Sequence, residues 1–168
     1  LEKIALEASI AQQGKPARII AKINGLLEPA IVKALYRASN AGVKIDIICR
    51  GICNLRPGLP GISENIRVIS IVDRFLEHSR IYYFENSGNP QVYIGSADWM
   101  DRNLSRRVEV VFPIEPVDLK SRIITEILNI SLNDNMKARE LQSDGSYKKI
   151  APKGSALRIR SQDKFLEL

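Results

Sequence analysis

The stretch FLEHSRIYYF at residues 75–84 contains the only histidine of the 168-residue chain, His78, two positions before Arg80. In extended backbone, side chains two positions apart leave the same face, so the imidazole and the guanidinium are expected side by side. This pairing is favourable when an anion lies between the two groups, because arginine binds phosphoryl oxygens in pairs and histidine exchanges protons near neutral pH. The pair indicates phosphate chemistry; a surface histidine at the start of a strand is the simpler alternative.

A second polar stretch, YIGSADWMDRN, follows one strand later. Gly95 and Ser96 end that strand, where missing bulk lets a ligand approach the backbone. Asp98 is expected to orient the imidazole from across the hairpin. Trp99 and Met100 are interpreted as core residues.

A third candidate is Arg50 in the stretch CRGICNLRPG. It follows a predicted strand at 43–49, and ligands of open α/β sheets bind outside the carboxyl ends of strands. Arg50 is therefore expected as a phosphate ligand, with Arg56 behind it. The stretch lacks the GxxxxGK[ST] pattern of a phosphate-binding P-loop. Cys49 and Cys53 are interpreted as buried thiols.

The composition favours anionic partners, because the net charge is +6 and the isoelectric point is near 9.4. Phosphates, nucleic acid and acidic lipid all fit such a surplus, as does plain solvation of the surface. One histidine and two cysteines cannot complete a four-ligand zinc site, and so few thiols indicate a reducing compartment. No apolar run reaches the roughly 20 residues of a membrane helix, so a soluble chain is expected. The start at Leu1, without a signal-peptide pattern, suggests a piece of a longer protein.

The elements that would position these side chains alternate between helix and strand. Strands are predicted at residues 17–23, 43–49, 66–72, 80–84, 91–97 and 106–112. Helices are predicted at residues 1–13, 29–41 and 117–130. The first strand, helix and strand form a βαβ unit, which predicts a parallel pair. The connector ENSGNP predicts an antiparallel hairpin, and a second hairpin is expected to turn at Asp144–Gly145.

The segment RGICNLRPGLPGISENIRVISIVDRFLEHSRIYYFENSG, with VYIGSADWMDRNLSRRVEVVFPI after it, closely resembles the C-terminal region of the type 1 polyphosphate kinases of bacteria. The likeness spans about residues 15–140 and is loose beyond them. It implies an α/β fold: a phospholipase D-like sandwich with a mixed central sheet flanked by helices, plus a small C-terminal hairpin. Residues 1–136 would be the catalytic domain, and 137–168 the hairpin and a basic tail.

The resemblance also implies an activity. Polyphosphate kinases reversibly move the terminal phosphate of ATP onto inorganic polyphosphate, with magnesium, through a phosphohistidine. This chain would be the second of two phospholipase D-like domains, so the phosphohistidine would lie in the preceding domain. His78 would be a general acid that also contacts the nucleotide, and Arg50 a ligand of the nucleotide phosphates. The phospholipase D signature, HxK followed by GS, appears here with Arg80 in place of lysine.

Further expectations follow from this resemblance. The partners would be ATP, ADP, polyphosphate, the preceding domain and other copies of the chain, without nucleic acid and without an integral membrane segment. The magnesium ligands would lie outside this chain, and the isolated chain would be inactive. A cytoplasmic location is expected, with membrane association left open.

Two other functions are kept open. A phospholipase D-like phosphodiesterase or nuclease would need the HxK signature twice, and this chain has one altered copy. A non-catalytic module that binds polyanions would account for the basic surplus alone. Loss of turnover on replacing His78 would separate the kinase from the binding module.

Overall fold

The computed structural model describes residues 1–152 and 154–168. Within them, eight strands form one mixed sheet in the order β6-β5-β4-β1-β2-β3-β7-β8. The strands are β1 (Arg18–Ile23), β2 (Lys44–Cys49), β3 (Ile66–Ile71), β4 (Arg80–Phe84), β5 (Gln91–Gly95), β6 (Val111–Pro113), β7 (Ala138–Leu141) and β8 (Tyr147–Lys149). The predicted mixed α/β architecture is confirmed.

Helices cover both faces of this sheet. They are α1 (Glu2–Gln12), α2 (Pro29–Asn40), α3 (Asp101–Ser105), α4 (Val117–Arg122), α5 (Ile130–Leu132) and α6 (Ser161–Phe165), and a π-helical stretch (Ile123–Asn129) joins α4 to α5. None of the helices in the described residues combines the length and apolar composition needed to cross a bilayer.

The central strands have the predicted directions. β1, β2 and β3 are parallel, with Ile19 opposite Ile45 and Ile45 opposite Ile66. β4 pairs antiparallel with β1 on one side and with β5 on the other, where Arg80 lies opposite Gly95. The βαβ unit and the β4–β5 hairpin are therefore confirmed.

Alternate residues of the strands enter two separate cores. One core lies against α1 and α2 and includes Ile19, Ile45 and Leu35. The other lies against the helical segment at 117–132 and includes Ile20 and Leu128. The central strands are therefore packed on both faces, and the carboxyl ends of β1 and β2 lie together at one edge of the sheet.

One predicted strand differs in the structure. The strand predicted at 106–112 is reduced to β6, which lies at the edge of the sheet after α3. The predicted C-terminal hairpin is confirmed, since β7 and β8 pair antiparallel, and β7 also pairs antiparallel with β3 and so extends the main sheet. The last residues also return to the body, since the main-chain N–H of Asn135 donates to the Ile159 carbonyl at 3.0 Å.

Candidate active site

Arg50 and His78 meet at the carboxyl edge of the sheet. Arg50 directly follows β2, and His78 lies two residues before β4, on the other side of β1. Nη2 of Arg50 lies 3.1 Å from Nδ1 of His78. Because arginine only donates, Nδ1 accepts, and the neutral ring then carries its hydrogen on Nε2. His78 is exposed and Arg50 is half-buried, so the pair is open to an incoming ligand.

Asn24 joins Arg50 to the rest of the site. It directly follows β1, and its Oδ1 accepts a hydrogen bond from Nε of Arg50 at 2.6 Å. The main-chain N–H of Asn24 donates to Oδ1 of Asp98 at 2.7 Å. The guanidinium of Arg50 is thus anchored at one nitrogen while another faces the imidazole.

Arg80 and Asp98 form a buried ion pair below the histidine. Nη2 of Arg80 lies 3.1 Å from Oδ2 of Asp98, and its Nε lies 3.3 Å from Oδ1. The two side chains are only 10% and 4% exposed. The third arginine nitrogen, Nη1, donates to the main-chain carbonyl of His78 at 2.8 Å. Arg80 therefore holds the backbone of the histidine.

These contacts differ from the sequence-based expectations for both residues. Asp98 was expected to orient the imidazole, but its described hydrogen bonds go to Arg80 and Asn24. Arg80 was expected to bind phosphate beside Arg50, but a buried carboxylate neutralises it. The reason is the register of the hairpin: Arg80 lies opposite Gly95, which brings its guanidinium to the chain that follows β5.

The pKa of Asp98 reflects this pairing. Burial raises the pKa, but the hydrogen bonds and charge of Arg80, together with the hydrogen bonds from Asn24, outweigh burial. The net pKa lies below the ordinary value, so Asp98 is ionised at neutral pH. It is a fixed charge and is not suited to proton transfer.

The residues on either side of His78 are both held by one lysine. Nζ of Lys22 lies 3.0 Å from Oε2 of Glu77 and 2.9 Å from Oγ of Ser79. The lysine side chain is 7% exposed. The cleft beneath this cluster has a volume of about 10 Å³, enough for about one water molecule. The space on this side of Arg50 is therefore too small for a phosphate group.

Arg56 lies apart from this cluster. It is exposed and lines a cavity of about 380 Å³, with Tyr147 and Leu141 from the C-terminal hairpin. Its main-chain N–H donates to the Tyr36 hydroxyl at 2.9 Å. The same cavity is lined by Gly51, the residue after Arg50, so the expected place of Arg56 as a second phosphate ligand stays a prediction.

Ser96 is tied to the chain that follows it. Its hydroxyl donates to the Glu109 carboxylate and accepts from the main-chain N–H of Val110 at 3.1 Å. Nδ2 of Asn103 adds a hydrogen bond to Glu109 at 2.6 Å. The hydrogen bonds from Ser96 and Asn103 lower the pKa of Glu109. Ser96 therefore contributes to the support of the site at the end of β5.

The residues of this site do not fit a magnesium ion. Magnesium needs carboxylate oxygens, but Glu77 is paired with Lys22 and Asp98 with Arg80. The part of the chain that the structure describes contains no group of three or more histidine, cysteine or acidic residues able to hold a metal.

Asn24 and Lys22 are the site residues that sequence reasoning missed. Asn24 stands directly after β1, as Arg50 stands after β2, so the rule that identified Arg50 applies equally to Asn24. Lys22 is a charged residue inside the apolar run ARIIAKI, and a buried lysine needs a partner.

A family model and the curated relatives of this chain all indicate the same protein family. The model for polyphosphate kinase C-terminal domain 2 matches residues 1–162. The polyphosphate kinase of Burkholderia multivorans is 59% identical over 149 residues, which are 89% of this chain and 22% of that protein. That of Xylella fastidiosa is 54% identical over 167 residues, which are 99% of this chain and 24% of that protein. The chain therefore spans less than a quarter of the length of these relatives.

Solved structures agree with this result. The crystal structure of polyphosphate kinase from Porphyromonas gingivalis superposes with a TM-score of 0.94 at 41% identity, over 99% of this chain and 25% of that one. Nuc from Salmonella typhimurium, a phospholipase D family member, has a TM-score of 0.57 at 18% identity, over 83% of this chain and 90% of that one. The second likeness shows the fold alone. From its sequence and its structure alike, the chain belongs to the polyphosphate kinase C-terminal domain 2 family.

Proposed function

We propose that this chain is the part of a polyphosphate kinase that contacts the phosphates of ATP and supplies a general acid, while a preceding domain of the longer enzyme carries the phosphohistidine. The observation that supports this is the hydrogen bond between Arg50 and the exposed imidazole of His78. A guanidinium and an imidazole that share one hydrogen bond at a sheet edge form a site for a phosphoryl group. The remaining parts of the proposal, which are the substrates and the phosphohistidine of the preceding domain, rest on membership of the family.

Arg50 is the nucleotide-phosphate ligand in this proposal. Its Nε is held by Asn24, which leaves Nη2 free to move from the imidazole to a phosphoryl oxygen. A charge-assisted bond to phosphate is stronger than a bond to a neutral ring, so an arriving phosphate displaces His78 from the guanidinium. Positioning and electrostatic stabilisation of this kind are the main contributions of a protein to phosphoryl transfer.

His78 is the general acid. Once Arg50 has moved to the phosphate, Nδ1 is free to accept a proton, as an imidazole nitrogen without a donor partner can. The imidazolium gives its proton to the leaving oxygen in one direction, and the neutral ring takes that proton back in the reverse direction. The loop between β3 and β4, residues 72–79, carries His78. Arg80 holds this loop through the backbone of His78, and Lys22 holds it through the side chains of Glu77 and Ser79.

The substrates in this proposal are ATP, ADP and polyphosphate, and the basic surplus attracts the polymer. The chain alone is inactive because the phosphorylated histidine is elsewhere. Incubation of the 168-residue chain with labelled ATP is expected to leave it unlabelled. Strong phosphohistidine formation on His78 would overturn its assignment as the acid.

The main experiment replaces His78 and Arg50 by alanine in the full-length enzyme and measures transfer of labelled phosphate from ATP to polyphosphate. His78→Ala is expected to lower kcat by about 10²–10⁴-fold, as for loss of a general acid. Arg50→Ala is expected to lower kcat by about 10²–10³-fold, as for loss of an electrostatic donor, and to raise the KM for ATP. Arg122→Ala, which changes a 63% exposed side chain on α4, is the control and should resemble wild type.

Other outcomes point to the alternative functions. Unchanged turnover with lower polymer affinity in both variants would indicate a polyanion-binding module. Hydrolysis of a phosphodiester that depends on His78 would indicate a phospholipase D-like enzyme. Either result would contradict the proposed role in the kinase.

A further inference from the structure

We propose that Gln162 and Arg160, in the C-terminal tail, are positioning residues that hold the loop carrying His78 in its working place. This inference rests on the proposed function, because it assigns these two residues a role through the general acid. It gives the tail a part in catalysis, although neither residue touches the phosphate-binding side of the site.

The side-chain amide of Gln162 pairs with the main chain of the loop in the way that a neighbouring strand pairs, through one donor and one acceptor. Its Oε1 accepts from the main-chain N–H of Phe75 at 2.8 Å, and its Nε2 donates to the main-chain carbonyl of Phe75 at 2.8 Å. The same Nε2 donates to Oε1 of Glu77 at 3.0 Å. Gln162 is 3% exposed. One buried amide thus satisfies both main-chain groups of Phe75 and one carboxylate oxygen next to His78.

Arg160 binds Asp73, near the start of the same loop. Its Nε lies 2.7 Å from Oδ2 of Asp73 and its Nη2 lies 2.8 Å from Oδ1, the paired geometry of a strong arginine–carboxylate contact. The side chain of Asp73 is only 2% exposed. Lys137 adds a second cation at 3.5 Å from Asp73. The loop is therefore held at both Asp73 and Phe75.

The tail itself is firmly attached. Oδ2 of Asp134 accepts from the main-chain N–H and from the hydroxyl of Ser161, both at 2.7 Å. Oδ1 of Asn135 accepts from the main-chain N–H of Ile159 at 2.8 Å. Since Ser161 lies between Arg160 and Gln162, these bonds fix both positioning residues against the body of the protein.

Apart from the contacts of Lys22 and Arg80 near His78, the loop at residues 72–79 has little apolar burial to fix it. Val72 is 72% exposed, Phe75 is 45% exposed and Leu76 is 77% exposed, so the loop buries few apolar groups. A segment with so little burial opens easily unless hydrogen bonds hold it. From the anchored loop, Glu77 and Ser79 both reach Lys22, and His78 lies between them. The position of the imidazole therefore depends on contacts with residues more than 80 positions away in the sequence.

The test is Gln162→Glu in the full-length enzyme. This change keeps the shape of the side chain but removes both Nε2 donors and places a carboxylate beside the Phe75 carbonyl and Glu77. We expect kcat for phosphate transfer to fall about tenfold or more, with the KM for ATP changed less than about threefold, since Arg50 is untouched. Gln142→Ala, which removes an amide that donates to the nearby Glu140 carbonyl at 3.0 Å, is the control and should keep wild-type kinetics.

A double-mutant cycle separates positioning from general damage. If Gln162 acts through His78, Gln162→Glu should have no further effect on kcat in a His78→Ala background. A full tenfold loss in that background, or wild-type kcat for Gln162→Glu alone, would overturn the inference. Should His78→Ala itself leave kcat unchanged, the proposed function fails, which is a distinct result.

Hydrogen exchange gives a second measurement that does not depend on activity. The amide of Phe75 should be protected in the full-length enzyme and lose at least tenfold protection in Gln162→Glu and in Arg160→Ala. Arg160→Lys keeps a cation beside Asp73 and should restore part of the protection. Fast exchange at Phe75 in the wild type would contradict the inference even if a variant did not fold.

Discussion

Nδ1 of His78 accepts a hydrogen bond from Nη2 of Arg50 at 3.1 Å, so the arginine selects one form of the ring. The arginine is in turn held by Asn24, and the backbone of the histidine is held by Arg80. Each of these groups is fixed by a strand end of the same sheet. These contacts hold Arg50 and His78 in place without a bound ligand.

The first prediction concerns the tautomer of His78. Because Arg50 can only donate, the neutral ring should be almost entirely in the form with hydrogen on Nε2. Nitrogen-15 NMR of the 168-residue chain above pH 8 measures this directly, and the single histidine gives one unambiguous set of ring signals. Arg50→Met should produce a mixture of tautomers. A ring protonated on Nδ1 in the wild type would contradict the hydrogen bond.

The second prediction compares two aspartates that each face an arginine. Asp98→Ala should lower the free energy of unfolding by about 3–5 kcal/mol, because Arg80 is left charged and buried. Asp101→Ala is the matched control, since its pair with Arg106 is 56% and 77% exposed, and it should cost less than about 1 kcal/mol. Urea unfolding at pH 7 measures both values. Equal losses of unfolding free energy in the two variants would contradict the buried pairing of Arg80 with Asp98.

The third prediction is a pH dependence carried by Asp134. Burial raises its pKa, but hydrogen bonds from the main chain of Ser161, Lys137 and Ala138 and from the Ser161 hydroxyl outweigh burial, so the pKa lies below its ordinary value of 3.8. A pKa lower in the folded state means that the ionised carboxylate stabilises the fold above pH 3.8, and that this contribution is lost as the pH falls through the lowered pKa.

Replacement of this carboxylate should show the same dependence. Asp134→Asn should reduce the free energy of unfolding by about 2–3 kcal/mol at pH 7, since one charged acceptor is lost. The difference from wild type should shrink as the pH falls below 3.8. Asp118→Asn, on the exposed first turn of α4, should show little difference at any pH. A difference that stays constant down to low pH would contradict the assigned pKa direction.

The fourth prediction concerns Gly51, which follows Arg50. A Cβ atom at this position would press on the main-chain carbonyl of Asn24, closer than normal contact allows. Gly51→Ala should therefore displace Asn24, weaken its hold on Arg50 and raise the KM for ATP severalfold in the full-length enzyme. Gly14→Ala places alanine at a φ of +71° far from the site and should cost stability without changing KM. Unchanged kinetics in both variants would contradict the role of Asn24.

The rule that the carboxyl ends of strands carry ligands identified Arg50 correctly as a residue of this edge. The pairing of Arg80 with Asp98 could not be predicted, because it depends on the register of the β4–β5 hairpin and on the direction of the chain after β5. From the sequence, Arg80 is predicted to bind phosphate beside His78, and no local pattern indicates its pairing with Asp98.

The C-terminal tail shows a second limit of the sequence. The stretch KGSALRIRSQDKFLEL is basic and poorly patterned, so the sequence predicts only a tail there, yet Arg160 and Gln162 hold the loop before β4. Contacts between single polar residues more than 80 positions apart leave no pattern in one sequence. Only the folded backbone brings them together.

The sequence by itself determined the parallel βαβ unit and the β4–β5 hairpin, because apolar periodicity and local turn residues carry these features. The resemblance of about residues 15–140 to the polyphosphate kinases gave the family and, with it, the mixed central sheet. The tertiary structure alone decided which cation faces His78 and which is neutralised by Asp98. The reason is physical: hydrophobic burial is spread over many residues and tolerates small shifts, whereas a hydrogen bond near 3 Å depends on the relative placement of strands that are distant in sequence.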